Sequence, residues 1–538
     1  MMHEKGQTPV LLTDEQMRTF VVDGYVIFTP DVPDRVHAAI REKLRFVFEE
    51  ELNPGNNILP RIPELALILN SPEVQGALMS VLGHGFIEHP HRFCHYISPE
   101  AEQRTLERNC HQDSYTPLGR PRQHYSRYAR IMYYPQDTPV EMGPTHVIPG
   151  TQYHKRLEDA DRQRAVPMAG KAGTVSIGHF DIGHAAGINT VHEPRHMIKF
   201  IYTRAEEPTA PSWDCKDLVW RKPQQVHTPY DLDLAWSHHW DWLCGKRDRY
   251  ESFGSRDQAG GDVASAVADL QTDRPSDVRL AAMRRLAAMG ESAVAAIPYL
   301  IAGLNQDPQW DRVESVYTLG AIGEPALVPL VAALRASGEK EDDQPVPGPW
   351  NEGAISMDDA AHALAAMGRS TVSVLTDLLR DGSEWVRINA AFALGEMDSV
   401  AADAVPALIR CLDDDSHCVV RTATDSLGSI GRDGEAFIPV LGQLLKAGRP
   451  EWDVTDRRDW TPYDQVRINA AMAMIRLGQA AAPGEQILKE ALNDPNGHVG
   501  AFALDALRRI GSPSAMDAVM DYLLARRWDE SIVKGRLF

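Results

Sequence analysis

The chain has 538 residues, too many for one ordinary hydrophobic core, so two or more folded units are expected. Its composition is that of a globular protein, 43% hydrophobic and 24% charged, and a formal net charge of −20 argues against a nucleic-acid or anionic-membrane partner, both of which need a basic face. Six cysteines without a CxxC pair, an N-terminus unlike a signal peptide and the lack of any run of 18 apolar residues point to a cytoplasmic protein without a disulfide scaffold or membrane span.

In chain order, Thr13 is placed to cap a helix through Phe20, and Gly24 leads into a strand at Tyr25–Phe28. His84, His89, His91 and His95 form a dense cluster whose spacing fits no metal site well. Cys110 reads as a small buried apolar residue beside His111. The Arg- and Tyr-rich stretch between Asp113 and Ala129 is expected to shape a substrate entrance, and Arg120, Arg122, Arg127 and Arg130 are the best candidates for a local basic patch. Ala129–Tyr134 and Val191–Tyr202 read as strands, and residues 141–150 as turn, strand, turn. His146 reads as a satisfied strand histidine, His154 as a surface or substrate-touching residue, and Glu206-Glu207-Pro208 as a solvated turn. A small helical element followed by many short strands suggests a β-sandwich or barrel.

A glycine-bearing linker follows at residues 254–270, with Gly254, Gly260 and Gly261. From about residue 270 the pattern becomes Ala- and Leu-rich, helical and repetitive. Copies of one frame end at Gly290, Gly323, Gly368, Met397-Asp398, Gly431, Gly478 and Gly511, with steps of 33, 45, 30, 33, 47 and 33 residues. One amphipathic helix pair cannot bury its own apolar stripe, whereas a stack can, so residues 271–538 are expected to form a right-handed solenoid of about seven units. They resemble short HEAT-like repeats. Two insertions, 338–353 and 448–464, fall at the same point of the repeat and carry Trp350, Trp452 and Trp460, which makes them candidates for contact with the N-terminal half or a substrate; the alternative is two tolerated surface loops.

The chemistry sits in the first 253 residues. An oxygen-activating ferrous centre needs two histidines and one carboxylate on one face of the metal, with the remaining positions open. His111-Gln112-Asp113 offers the first pair, because period two puts both side chains on one face of a strand end. A second His-x-Asp, His239-Trp240-Asp241, lies in a Trp-rich helical stretch and reads as structural. Candidates for the third ligand are His179, His184, His192 and His196. His184 stands where a strand enters a glycine-bearing turn, eleven residues before Arg195. The same interval separates His111–Arg122, His238–Arg249 and His498–Arg509, so order and context favour His184 rather than the interval. Arg195 suits the far carboxylate of a keto diacid, which needs a planar, permanently charged, two-pronged donor; the alternative is a surface ion pair with Glu193.

These residues, with Tyr133–Asp137, Gly143-Pro-Thr-His-Val-Ile-Pro-Gly150-Thr and Gly187…Asn189, resemble the phytanoyl-CoA dioxygenase family over roughly residues 12–205. The resemblance implies a double-stranded β-helix (a cupin-like jelly roll), Fe(II), 2-oxoglutarate and O2. By carry-over His111, Asp113 and His184 bind iron, Arg195 binds 2-oxoglutarate, and Gln112 and Tyr133 line its pocket. Where the family often has a serine two residues after the distal histidine, this chain has Ala186, and Thr190 is the candidate to supply the missing hydrogen bond. An intact Asp113 implies hydroxylation rather than halogenation, since related halogenating enzymes put a small residue there. The expectation is thus a dioxygenase hydroxylating an unidentified small organic substrate, with succinate and CO2 released and the repeats recruiting a protein partner or substrate. Rival readings are a non-catalytic scaffold with a metal-binding sensor barrel, a protein hydroxylase served by the repeats, and a bilin-lyase-like role suggested by the repeat type alone.

Overall fold

The computed structural model describes residues 8–99, 105–113, 120–246, 262–342, 355–431, 434–446, 449–453 and 461–526. The linker glycines 254, 260 and 261, the first residues after Asp113, most of the first insertion with Trp350, and residues 448 and 454–460 of the second with Trp460 lie outside them. The chain divides into two compact units, Met1–Tyr115 with Arg120–Ser337 and Glu352–Thr371, and Thr116–Gly119 with Gly338–Asn351 and Val372–Phe538. The first unit therefore holds the strands and also the helices from Val263–Asp269 to Asp359–Met367.

In that unit Thr13 and Gln16 form a reciprocal capping box for the helix Asp14–Asp23, and Gly24 ends it at φ 82°. Eight strands follow: β1 Tyr25–Phe28, β2 Ile87–Ile97, β3 Tyr128–Tyr133, β4 Thr145–Ile148, β5 Val166–Pro167, β6 Val175–His179, β7 Gly183–Ala186 and β8 Arg195–Thr203. They make two antiparallel sheets, β1-β6-β3-β8-β2 and β5-β4-β7. The last strand starts four residues later than its apolar pattern suggested. Asn189 holds the preceding loop instead, its Oδ1 accepting from Val191 N at 3.1 Å and its Nδ2 donating to Glu193 O at 2.8 Å.

Period two then sorts the side chains. Tyr25, Met132, Tyr134, Val147, Met168, Ile182 and Met197 form one buried cluster that draws on both sheets. Met132 and Tyr134 carry Arg130 with them onto this inner face, and Met197 carries Arg195 and Lys199. Tyr133 takes the opposite face, 2.8 Å from His37 of the helix Asp34–Glu50.

The segment leading into β3 is packed by rings. His124 Nδ1 lies 2.8 Å from the Tyr317 hydroxyl, and its imidazole stacks on His362 at 4.3 Å. Tyr125 lies 3.0 Å from His238 Nδ1, and Ser126 N donates to His239 Nε2 at 3.1 Å. Tyr317 belongs to the helix Gln309–Ile322 and His362 to Asp359–Met367, so the first repeats and the sheets share one interior. Arg122 N adds a backbone bond of 2.7 Å to Ile355 O.

Three surface assignments change here. Arg120, Arg122, Arg127 and Arg130 are all buried, so they form no basic surface patch. Their charges are held inside: Arg122 faces Asp181 at 3.4 Å, Arg127 pairs with Glu207 at 2.8 Å and Arg120 lies over the Tyr128 ring. Glu207 is thus an internal counter-ion rather than part of a solvated turn. His154 is buried 3.3 Å from Asp161, away from the surface. One helical run, Ser276–Gly303, is long and apolar enough to cross a membrane by composition. It breaks at Gly290, φ 54°, into separate helices of one repeat.

The second unit continues the helix pairs, and its helices Glu384–Glu396, His417–Ile430, Pro462–Leu477 and Gly497–Ile510 pack in succession. Arg387 pairs with Asp414 at 2.9 Å, and Arg467 pairs with Asp494 in the same way. The glycines that end each copy have positive φ, and the one copy without glycine puts Asp398 there at φ 49°. Trp452 of the second insertion is buried, with its Nε1 donating to Asp415 O at 3.2 Å.

Burial lowers the His124 pKa to about 4 and pushes His362 well down. Between pH 6.5 and 4 the unfolded chain binds protons that these imidazoles refuse, so stability is full above pH 6.5 and falls as pH drops through that window. Thermal unfolding followed from pH 7 to 5 should show this loss, up to about 1.4 kcal/mol per pH unit per imidazole, and His124→Gln should remove one imidazole's share of it.

Candidate metal centre

His111 and His184 meet through the backbone. His111 N donates to His184 O and His184 N to His111 O, both at 2.9 Å, which makes them a directly opposed antiparallel pair. Their ring centroids are 4.4 Å apart. On β7 the same alternation turns Ala185 to the other side, where it packs with Cys110 and Ile148. Asp113, two residues beyond His111, returns to the imidazole side, with Oδ1 3.6 Å from His111 Nε2 and Oδ2 3.9 Å from His184 Nε2. One donor atom from each of the three lies within 4.8 Å of the others. Two imidazoles and a carboxylate on one side of a point are a donor set suited to a ferrous ion.

The surroundings set protonation states. Burial alone raises the Asp113 pKa, but Arg130 and Lys199 overturn this and hold it well below the usual carboxylate range. Burial, reinforced by Arg130, holds His184 far below its ordinary value, so the ring is neutral. Both are therefore in the state a metal ligand requires. His111, on the exposed side, has its pKa raised by its contact with Asp113. His111 Nδ1 lies 2.7 Å from Asn109 O, which orients the ring and leaves Nε2 toward Asp113.

Arg195 is 1% exposed, with Nη1 donating to Gly143 O at 2.5 Å. Among the described residues no carboxylate lies within 4 Å of it, and its Nε lacks a partner. Glu193 is taken by Arg41 at 2.6 Å, which removes the surface ion-pair alternative. A buried cation without an anion is costly unless a ligand supplies one.

Residues 28–197 match the family model of phytanoyl-CoA dioxygenase. This stretch is a phytanoyl-CoA dioxygenase domain. Residues 372–454 and 453–534 match the family model of HEAT repeats. Comparison with curated proteins gives no match. Among solved structures, the chain is similar to SnoK, a non-heme alpha ketoglutarate dependent carbocyclase from nogalamycin biosynthesis, at 22% identity over 37% of this chain and 88% of that one, TM-score 0.30. It is also similar to EctD from S. alaskensis with bound Fe, at 17% identity over 38% and 80%, TM-score 0.31. A third is AviO1 from Streptomyces viridochromogenes Tue57, at 17% over 36% and 96%, TM-score 0.30.

The dioxygenase domain does not bring every expected residue to this centre. Tyr133 faces His37 behind the sheet, and its neighbour Tyr134 takes the inner face beside Arg195, with its hydroxyl accepting from Thr145 N at 2.9 Å. A one-residue step along a strand reverses the side. Gln112 turns away from the ligand face and spends its Nε2 on the carbonyls of Thr151, His154 and Asp181 at 3.0, 3.1 and 2.9 Å. Thr190 is exposed, its hydroxyl donating to Glu141 O at 3.0 Å. Of the other candidate ligands, His179 is buried 3.2 Å from Tyr125 O, His192 is exposed, and His196 packs against Phe48 and Tyr96. His239 is buried between Ser126 and Tyr153.

Two residues at the centre were not anticipated. Arg130, 1% exposed, places Nη2 2.7 Å from Asp113 Oδ2 and Nη1 2.9 Å from His184 Nε2, while Nη2 donates to Phe180 O at 3.0 Å. Lys199 Nζ lies 3.5 Å from Asp113 Oδ2. The signal was strand phase: Arg130 alternates with Met132 and Tyr134, and Lys199 with Arg195 and Met197.

Gln112→Leu should therefore lower unfolding free energy by about 1–3 kcal/mol in urea titrations, since three carbonyls lose a donor. Tyr133→Phe should cost about 1 kcal/mol, for one hydrogen bond. Neither should change divalent-metal affinity measured by calorimetry.

Proposed function

We propose that this chain is an Fe(II)- and 2-oxoglutarate-dependent dioxygenase. His111, Asp113 and His184 bind the iron and Arg195 binds the distal carboxylate of 2-oxoglutarate, in a double-stranded β-helix made by the two sheets. The observation that carries this is the pairing of one compact His/Asp/His donor set with one buried arginine that has no carboxylate among the described residues. When bound, the iron and keto acid supply O2 activation, with one oxygen atom going to succinate as CO2 leaves and the other to an organic substrate as a hydroxyl group.

The protein's own share is binding and orientation. The His111–His184 backbone pair fixes the two imidazoles before metal arrives, and Arg130 holds the carboxylate and the buried imidazole in register. Arg195 sets the direction of the co-substrate by a charge-assisted, two-pronged contact. Met132, Tyr134 and Met197 form a buried wall on the same face, which keeps water from that side. The carboxylate at Asp113 fills the position a halide would need and supports hydroxylation over halogenation. The repeats are assigned the role of a solenoid scaffold for a protein partner or substrate, supported by their match to HEAT repeats.

Anaerobic addition of Fe(II) and 2-oxoglutarate should produce the metal-to-ligand charge-transfer absorption of a chelated keto acid. His184→Ala should abolish it. Arg195→Ala should keep iron binding but weaken 2-oxoglutarate roughly 30-fold or more, because losing one partner of a buried charge pair costs about 2–5 kcal/mol. A wild-type protein that binds iron but shows no such absorption contradicts the assignment.

A further inference from the structure

The inner face of the dioxygenase domain carries more positive charge than its assigned tasks use. Arg130, Arg195 and Lys199 are largely buried on β3 and β8, and among the described residues Asp113 is the only carboxylate within 4 Å of any of them. A ferrous ion and the 2-oxoglutarate dianion cancel each other's charge. Among the described residues, one carboxylate then stands against three cations, close to Arg130 and Lys199 but not to Arg195, and it is the proposed metal ligand Asp113. Two positive charges remain in a partly desolvated site, which is unfavourable unless an anion joins them.

The two arginines have definite employment. Arg195 awaits the co-substrate tail, and Arg130 is clamped between Asp113, the His184 ring and Phe180 O. Among the described residues the only acidic partner of Lys199 is Asp113, at 3.5 Å, a long contact for an ion pair. It stands four residues from Arg195 on the same strand face, so their backbones are about 13 Å apart. A five-carbon diacid held by Arg195 at one end and by the metal at the other does not need a second clamp at that distance. Directly beside Lys199 on the neighbouring strand is Phe93; His95, opposite Met197, lies diagonally from it, and burial lowers its pKa to about 3, with Lys199 adding to the effect. Its neutral ring offers a hydrogen bond rather than another charge.

Resting on the assignment of iron and 2-oxoglutarate made above, we propose that the primary substrate carries an anionic group, a carboxylate or phosphate, and that Lys199 receives it beside Asp113. Lys199 is thus the specificity-determining residue for a small organic anion, and Arg130 is a positioning residue for Asp113 and His184. A flexible ammonium suits this job, because it can leave Asp113 for an incoming oxyanion without disturbing the metal ligands.

The test uses the full chain loaded anaerobically with Fe(II) and saturating 2-oxoglutarate, titrated with butyrate and with its neutral isostere butyramide. Calorimetry and perturbation of the charge-transfer absorption report binding. Butyrate should bind at least about tenfold more tightly than butyramide. Lys199→Met should erase that preference while 2-oxoglutarate affinity changes less than about twofold, and Lys199→Arg should restore most of it. A normal charge-transfer absorption in Lys199→Met shows that the variant is folded. Equal binding of the two probes, no butyrate binding at all, or a Lys199→Met variant that keeps the preference overturns the proposal. So does a Lys199→Met variant whose main defect is in 2-oxoglutarate binding, which assigns the lysine to the co-substrate. Failure of the wild type to give the charge-transfer absorption overturns the iron assignment first and this inference with it. A normal absorption with indifferent probes overturns this inference alone.

Discussion

Asp113 is held between two largely buried cations, Arg130 and Lys199, and the arrangement around it depends on which of them it serves. Its Oδ2 lies 2.7 Å from Arg130 and 3.5 Å from Lys199, and its Oδ1 faces His111. That cationic company keeps it ionised in a place where burial alone would neutralise it. The same arginine approaches His184 and helps hold its ring neutral. A single guanidinium thus prepares both an anionic and a neutral ligand, and it does so from a strand rather than a loop, where its position is fixed by the sheet.

The geometry behind this is a backbone geometry. The His111–His184 pair is made by two main-chain hydrogen bonds, so the two imidazoles are brought together before any metal contributes. The strand that carries Arg130 is entered through a segment held by His124, Tyr125 and Ser126 against His362, Tyr317, His238 and His239. Helices that begin the repeat array therefore lie in the same interior as the wall of the candidate centre. Their first role is packing, and it bears on the site by fixing the phase of β3.

Much of this was legible in the sequence and part was not. That the first His-x-Asp and His184 come together could be anticipated from order and strand context, not from residue type, since a second His-x-Asp and three other histidines also offered themselves. The helix cap at Thr13 and the glycine ends of the repeats were plainer, since a positive φ or an unpaired helix terminus leaves few choices; Asp398 shows the one alternative used. Tyr133 and Gln112 were different. Their side depends on strand phase, and a boundary uncertain by one residue inverts every side chain that follows. The arginine run looked like a surface patch because charge in a sequence reads as exposure, whereas here Asp181, Glu207, Asp113 and aromatic faces take it inside. Glu207 and Asp181 are remote from those arginines in sequence, so the pairing was visible only once the sheets had formed.

Diffraction from crystals grown with Fe(II) and 2-oxoglutarate, collected at the iron absorption edge, tests the central claim most directly. A single anomalous peak is expected between His111 Nε2, His184 Nε2 and the Asp113 carboxylate, with a keto diacid running from that peak to the Arg195 guanidinium. Iron found elsewhere, or an Asp113 carboxylate that stays on Arg130 while the metal takes other ligands, would contradict it.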